Sequence, residues 1–106
     1  MNVYNRGTMT AFYRKHANCK KQLESWYNDV LEQHWKTSAD IKKAFAEVSI
    51  LNRHRVVFNI KGNDYRLIAE VNYQRGWLFI KFIGTHAEYD EVDATTVNLY
   101  GNKRRN

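Results

Sequence analysis

The amino-acid sequence predicts an α+β domain in which N-terminal helices pack on one face of a small, mainly antiparallel β-sheet. Three observations carry that expectation. Apolar residues recur at helical spacing from Met9 to Val48, they alternate with a period of two from Arg55 to Ile83, and Gly62-Asn63 and Arg75-Gly76 punctuate the alternating region as hairpin turns.

Taken in order, Val3 and Tyr4 begin a short first strand that ends before Gly7. Met9, Phe12, Tyr13 and His16 follow the i, i+3, i+4, i+7 spacing of one helical face, which predicts a helix over about residues 8 to 17 with Arg14 and Lys15 pointing away. Asn18 is the expected N-cap of the next helix, where Leu23, Trp26, Tyr27, Val30, Leu31, His34 and Trp35 sustain the stripe for more than three turns. On such faces His16 and His34 are boundary or core histidines rather than ligands, and Trp26 and Trp35 are core rings rather than a base-stacking surface. Thr37 or Ser38 caps a third, short helix with Ile41, Ala44, Phe45 and Val48, and Asp40 sits at the positive end of its dipole. Residues 49 to 54 lead into the sheet.

Val56, Phe58 and Ile60 alternate with Arg55, Val57, Asn59 and Lys61. Gly at the first central position of Gly62-Asn63 suits a type II′ turn, which pairs Ile60 with Tyr65, Phe58 with Leu67 and Val56 with Ala69. The second hairpin joins Asp64–Gln74 to Trp77–Ile83 through a two- or four-residue loop. Either loop keeps face parity, so Val56, Phe58, Ile60, Tyr65, Leu67, Ala69, Val71, Leu78, Ile80 and Phe82 share the face beneath the helices. The other face mixes Arg55, Asn59, Arg66, Glu70, Asn72, Lys81 and Thr85 with Val57, Ile68, Phe79 and Ile83, too polar for a second complete core. It is expected to stay half open; with the two-residue loop Glu70 lies opposite Lys81 and near Arg55, so a cross-strand ion pair competes with an RNA role for those two cations.

With 106 residues and no internal repeat or linker, one domain over residues 1–97 is expected, followed by a basic tail over 98–106. No apolar run approaches a bilayer span and the start lacks the apolar stretch of a signal peptide, which points to the cytoplasm and away from membranes. Cys19, the single cysteine, offers no internal disulfide or zinc group and is expected as a small helix-face residue. The net charge of +6 is uneven: residues 1–52 and 53–66 each carry +3, residues 67–97 carry −3, and the tail carries +3 through Lys103, Arg104 and Arg105. A polyanion is the natural partner of such a surface, and RNA or DNA binds by phosphate neutralisation.

One strand end concentrates chemistry. Thr85-His86-Ala87-Glu88 fits a capping box that opens a helical turn, with His86 and Tyr89 three apart on it and Arg66, which has no local acid, beside it. Free N–H groups of that turn would add a phosphate site. Arginine, histidine and tyrosine supply what RNA cleavage without a metal or cofactor needs: a proton acceptor for the ribose 2′-OH, a proton donor for the leaving oxygen and a cation for the charged phosphorane. The acidic run Glu88, Asp90, Glu91 and Asp93 matches no calcium loop and is expected as a solvated face. The same basic surface would equally suit a non-catalytic RNA- or ribosome-binding module.

The strings VVFNIKGNDYRLIAEVNY and FIKFIGTHAEYD closely resemble the HigB toxins of bacterial type II toxin–antitoxin modules, and WYNDVLEQHWKTSADIKKAF is similar to the corresponding helical region. The likeness covers about residues 2 to 97. It implies a RelE-like microbial ribonuclease fold, mRNA cleavage typically in the ribosomal A site with inhibition of translation, and neutralisation by a helix-turn-helix HigA antitoxin. It also implies that Arg66, His86 and Tyr89 are catalytic. His54, and Lys81 from its place on the open face, are second-rank candidates, catalytic or on the rim. Arg53, Arg55, Asn59, Lys61, Lys103, Arg104 and Arg105 are the expected RNA contacts.

Overall fold

A computed structural model describes residues 1–98, so Lys103, Arg104 and Arg105 lie outside the described residues. Among the described residues the elements follow as β1 (Asn2–Tyr4), α1 (Arg6–Lys15), α2 (Lys20–Leu31), α3 (Ser38–Ala44), β2 (Ser49–Ile50), β3 (Arg55–Ile60), β4 (Tyr65–Asn72), β5 (Trp77–Thr85) and α4 (His86–Asp90). The strands form one sheet in the order β1-β5-β4-β3-β2. Only β1 runs parallel to its neighbour. The α+β expectation is borne out, with β1 and β2 added to the edges of a three-stranded meander.

The helices differ from expectation at their ends. α1 starts at Arg6 because Asn5 takes a left-handed backbone (φ 67°) and donates from Nδ2 to the carbonyl of Ile80 at 3.3 Å, which turns the chain out of β1. Asn18 is not an N-cap. It lies in a 3-10 turn, Ala17–Cys19, and its Oδ1 accepts a 2.7 Å bond from the Tyr65 hydroxyl, which needs a partner at the edge of the core. α2 ends at Leu31, so His34 falls beyond it and is exposed, while Trp35 turns back into the core. Before α3, Oδ2 of Asp40 accepts from the N–H groups of Lys36 (2.9 Å) and Thr37 (3.3 Å). Those bonds, the Lys36 one foremost, hold its carboxyl below the usual carboxylate range.

The main core lies between helices and sheet, where Met9, Leu23, Trp26, Val30 and Ile41 meet Val56, Phe58, Leu67, Ala69, Val71, Leu78 and Ile80. Each large side chain buried this fully contributes about 1.5–3 kcal/mol, so this layer is what holds the sheet flat against the helices. Trp26 and Trp35 pack on Phe58 with ring centroids 5.3 and 6.3 Å away, as the expected core rings. Cys19 is fully buried beneath α2, and burial pushes its thiol up.

The first hairpin has the predicted register, Ile60 to Tyr65, Phe58 to Leu67 and Val56 to Ala69. Its turn closes with Asp64 N–H donating to Lys61 O at 3.2 Å, and Gly62 is at positive φ (63°) as expected, although Lys61 joins it in the left-handed region (φ 54°). The second hairpin uses the four-residue loop, with Gly76 at φ 73° and Asn72 opposite Trp77. Glu70 consequently faces Phe79, not Lys81, and its carboxylate pairs with Arg55 at 3.1 Å.

A β-bulge between Ile68 and Ala69 then breaks strict parity. Ala69 pairs with Ile80 but Ile68 pairs with Phe82, so Lys81 is the extra residue on β5. From there the two faces exchange: Phe82 leaves the helical side and clusters with Val57 and Ile68, while Ile83 enters the main core. That small second cluster occupies part of the face expected to stay half open. Tyr89, Val92, Ala94 and Val97 fold back over it, so α4 and the chain after it cover the β3–β4 half of the sheet. Among the described residues, that cluster does not extend to Tyr4, Trp77 or Phe79 on the β1–β5 half.

Candidate active site

The sheet sorts the sequence-predicted residues into two groups at opposite ends of its strands. At the end formed by the β3–β4 turn and the β5–α4 corner stand Asn59, Lys61, Arg66, His86 and Tyr89. At the other end stand Arg53 and His54, which line a cavity of about 740 Å³ together with Lys36, Glu70, Asn72 and Phe79. Lys81 is between them, on the bulge.

The capping box forms as the S/T-x-x-E spacing requires. Glu88 N–H donates to Thr85 Oγ1 (3.2 Å) and Thr85 N–H donates to Glu88 Oε1 (2.8 Å), which starts α4 directly after the strand. Gly84 makes this corner because a Cβ there would stand 2.5 Å from the Phe82 ring. The amides of α4 are less free than expected, since His86 N–H donates to Asp64 O at 3.2 Å. That bond ties the corner to the first hairpin turn.

Arg66 crosses from the middle strand to the same place. It pairs with Asn59 on β3 and Gly84 on β5, and its Nη1 donates to Asn63 O (2.9 Å) and Tyr65 O (3.4 Å). These bonds fix the guanidinium with its carbon 5.9 Å from the centre of the Tyr89 ring. Tyr89 itself is half-buried, with its ring packed against the Val57–Ile68–Phe82 cluster. Asn59 reaches Asn63 (3.5 Å) and Lys61 lies 3.8 Å from Asp64, so the rim of the site is polar and partly charge-balanced.

The exposed His86 ring makes its contact with Asp90, Nδ1 to Oδ2 at 3.1 Å. A carboxylate on one ring nitrogen fixes which nitrogen faces outward to exchange protons. Sequence reasoning placed Asp90 in a solvated acidic run and missed this role. The i, i+4 spacing of His86 and Asp90 on a capped turn was the available signal. Thus Arg66 meets Tyr89 directly, whereas His86, three residues earlier on α4, is oriented by Asp90.

Arg55 stands apart from the other expected RNA contacts. It is only 7% exposed, and besides Glu70 its Nη1 donates to Ala94 O (3.1 Å) and Val97 O (2.8 Å). It pins the returning chain to the sheet instead of facing solvent. Lys81 lies with its Nζ 5.5 Å from the Phe79 ring, away from the Arg66 end. Among the described residues no three His, Cys, Asp or Glu side chains group closely enough to share a metal ion.

A helical layer on a mainly antiparallel sheet, with a basic and aromatic corner at one strand end, is an α+β arrangement consistent with a RelE-like fold. A family profile described as HigB toxin, the RelE-like toxic component of a toxin–antitoxin system, matches residues 19–92. The chain belongs to the HigB toxin family. It is similar to the mRNA interferase HigB of Escherichia coli O6:H1, with 28% identity over 94 residues, 87% of this chain and 91% of that protein. It is also similar to the mRNA interferase toxin HigB of Escherichia coli K12 and to the mRNA interferase HigB of Shigella flexneri. Each is 29% identical over 79 residues, covering 72% of this chain and 75% of the relative.

Proposed function

We propose that this toxin is a metal-independent endoribonuclease that cleaves mRNA in the cytoplasm, with the message held in the ribosomal A site, and so inhibits translation. The observation that carries the reading is the Arg66 guanidinium held over Tyr89 beside the His86–Asp90 pair. The names of the curated relatives support the substrate class.

In this reaction the ribose 2′-oxygen attacks the adjacent phosphorus, the P–O5′ bond breaks, and a 2′,3′-cyclic phosphate and a 5′-hydroxyl are left. His86 moves a proton, through the ring nitrogen that Asp90 leaves outward. Arg66, with one nitrogen already anchored to the Asn63 carbonyl, holds the phosphate and neutralises the phosphorane through its remaining N–H groups. Tyr89 shares the acid–base duty or stacks on a base. Lys61 and Asn59 flank the scissile phosphate, and Arg53, with His54 on the rim, takes phosphates further along the strand. Arg55 is left out of this set because its guanidinium is already satisfied within the fold. A HigA-like helix-turn-helix antitoxin neutralises the toxin.

The test compares mRNA cleavage and growth arrest for the parent with Arg66→Ala, His86→Ala and Tyr89→Phe proteins shown to be folded. Loss of one general acid–base group lowers cleavage about 10²- to 10⁴-fold. Full toxicity in all three would defeat the assignment.

A further inference from the structure

The β1–β5 half of the sheet carries an aromatic cluster that the cleavage chemistry does not use. Tyr4, Trp77 and Phe79 stand together on it. Tyr4 stacks on Phe79 with centroids 5.1 Å apart and planes 22° apart, and Trp77 meets both rings edge-on at 5.8 and 6.1 Å. Tyr4 is 40% exposed, and Trp77 and Phe79 are half-buried. Among the described residues, the segment that returns after α4 packs on Val57, Ile68 and Phe82, and none of these three rings belongs to that cluster.

Cations rim this cluster. The Arg75 guanidinium lies 5.1 Å from the Trp77 centroid and Lys81 Nζ 5.5 Å from that of Phe79. Phe79 also lines the cavity that holds Arg53, His54 and Lys36, whose one acid, Glu70, is engaged by Arg55. The acidic run of α4 stands at the other end of β5. Rings that offer a π-face beside mobile cations are the two components that bind single-stranded nucleic acid: bases stack and phosphates are neutralised.

We infer that Tyr4, Trp77 and Phe79 form a base-stacking platform for single-stranded RNA, with Arg75 and Lys81 holding the flanking phosphates. This rests on the reading that the toxin acts on RNA. A base laid on Tyr4 and Phe79 extends a stack that already exists, so little ordering of the protein is required. Phe79 is five residues from Gly84 along β5, about 16 Å at strand rise, so the platform holds nucleotides a short distance from the phosphate at Arg66.

The experiment uses a short, non-cleavable 2′-O-methyl oligoribonucleotide and two readouts. Trp26 and Trp35 are only 4% and 3% exposed, so iodide quenching of tryptophan fluorescence reports chiefly on Trp77. Added oligoribonucleotide is expected to protect Trp77 from iodide. In fluorescence anisotropy with a labelled probe, Tyr4→Leu and Trp77→Leu each weaken binding at least about fivefold, while Trp77→Phe stays close to the parent. Tyr4→Leu keeps an apolar residue on an edge strand and serves if Trp77→Leu does not fold. Unchanged affinity in the folded leucine variant, or no protection of Trp77, overturns the inference. So does protection by an antitoxin protein alone, which would make the patch a protein interface. Binding is read without cleavage: a protein that binds through Trp77 and cuts nothing defeats the nuclease reading only, and one that cuts while its leucine variants bind normally defeats the platform only.

Discussion

Replacing Arg55 by alanine separates a structural role from an RNA contact at a position where sequence permits both. The guanidinium makes three bonds, one to the Glu70 carboxylate and two to the carbonyls of Ala94 and Val97. The Glu70 side chain is 41% exposed and can turn to water, so that pair contributes at most about 1 kcal/mol. Bonds from a charged donor to carbonyls contribute about 1.5 kcal/mol each at the low end. The loss expected for Arg55→Ala is therefore roughly 3 kcal/mol. It should appear in urea unfolding, together with faster hydrogen exchange at the amides of residues 92 to 98. Arg55→Lys recovers only part, because one ammonium cannot span acceptors laid out for a planar fork. An Arg55→Ala protein within about 0.5 kcal/mol of the parent that has lost RNA affinity would refute this account of the residue.

Other substitutions test the corner that presents His86. Gly84→Ala puts a Cβ 2.5 Å from Phe82 and 3.0 Å from Glu88, and overpacking there lowers stability by about 1–3 kcal/mol in thermal or urea unfolding. Thr85→Ala removes the acceptor for Glu88 N–H and lowers stability by about 0.5–2 kcal/mol, with slower cleavage because the His86 turn frays. Cys19, buried with a raised thiol pKa, resists alkylation at neutral pH in the native protein and reacts at a rate set by unfolding, which a labelling time course measures. The Asp40 carboxyl is depressed below its ordinary 3.8, so its stabilising effect is complete above that value and is lost as the pH falls through the folded pKa. The stability difference between the parent and Asp40→Asn should accordingly shrink in unfolding curves taken below pH 3.8.

Periodicity made the helices, the first hairpin and the capped turn legible, because each depends on residues close in sequence. Val56 to Ile60 and Tyr65 to Ala69 are joined by a short turn, so register followed from parity and loop length alone. The bulge at Lys81 had no such local sign: it satisfies packing on both faces at once, moving Phe82 to one cluster and Ile83 to the other. Nor could alternation show that residues 89 to 97 return across the sheet, since the Arg55 carbonyl contacts that hold them span 39 and 42 positions. In the site, the Arg66–Tyr89 approach was foreseeable from a capping box and a cross-strand neighbour. The Tyr4–Trp77–Phe79 cluster was not, because it needs β1 to pair in parallel with β5 across most of the chain.

The most direct measurement is primer extension on a translated message, followed by chemical identification of the new RNA ends. The account predicts position-specific cuts with 5′-hydroxyl and 2′,3′-cyclic phosphate termini for the parent, lost in the Arg66→Ala, His86→Ala, Tyr89→Phe triple variant. Uniform full-length product with the folded parent protein, or cuts that carry 5′-phosphates, would contradict it.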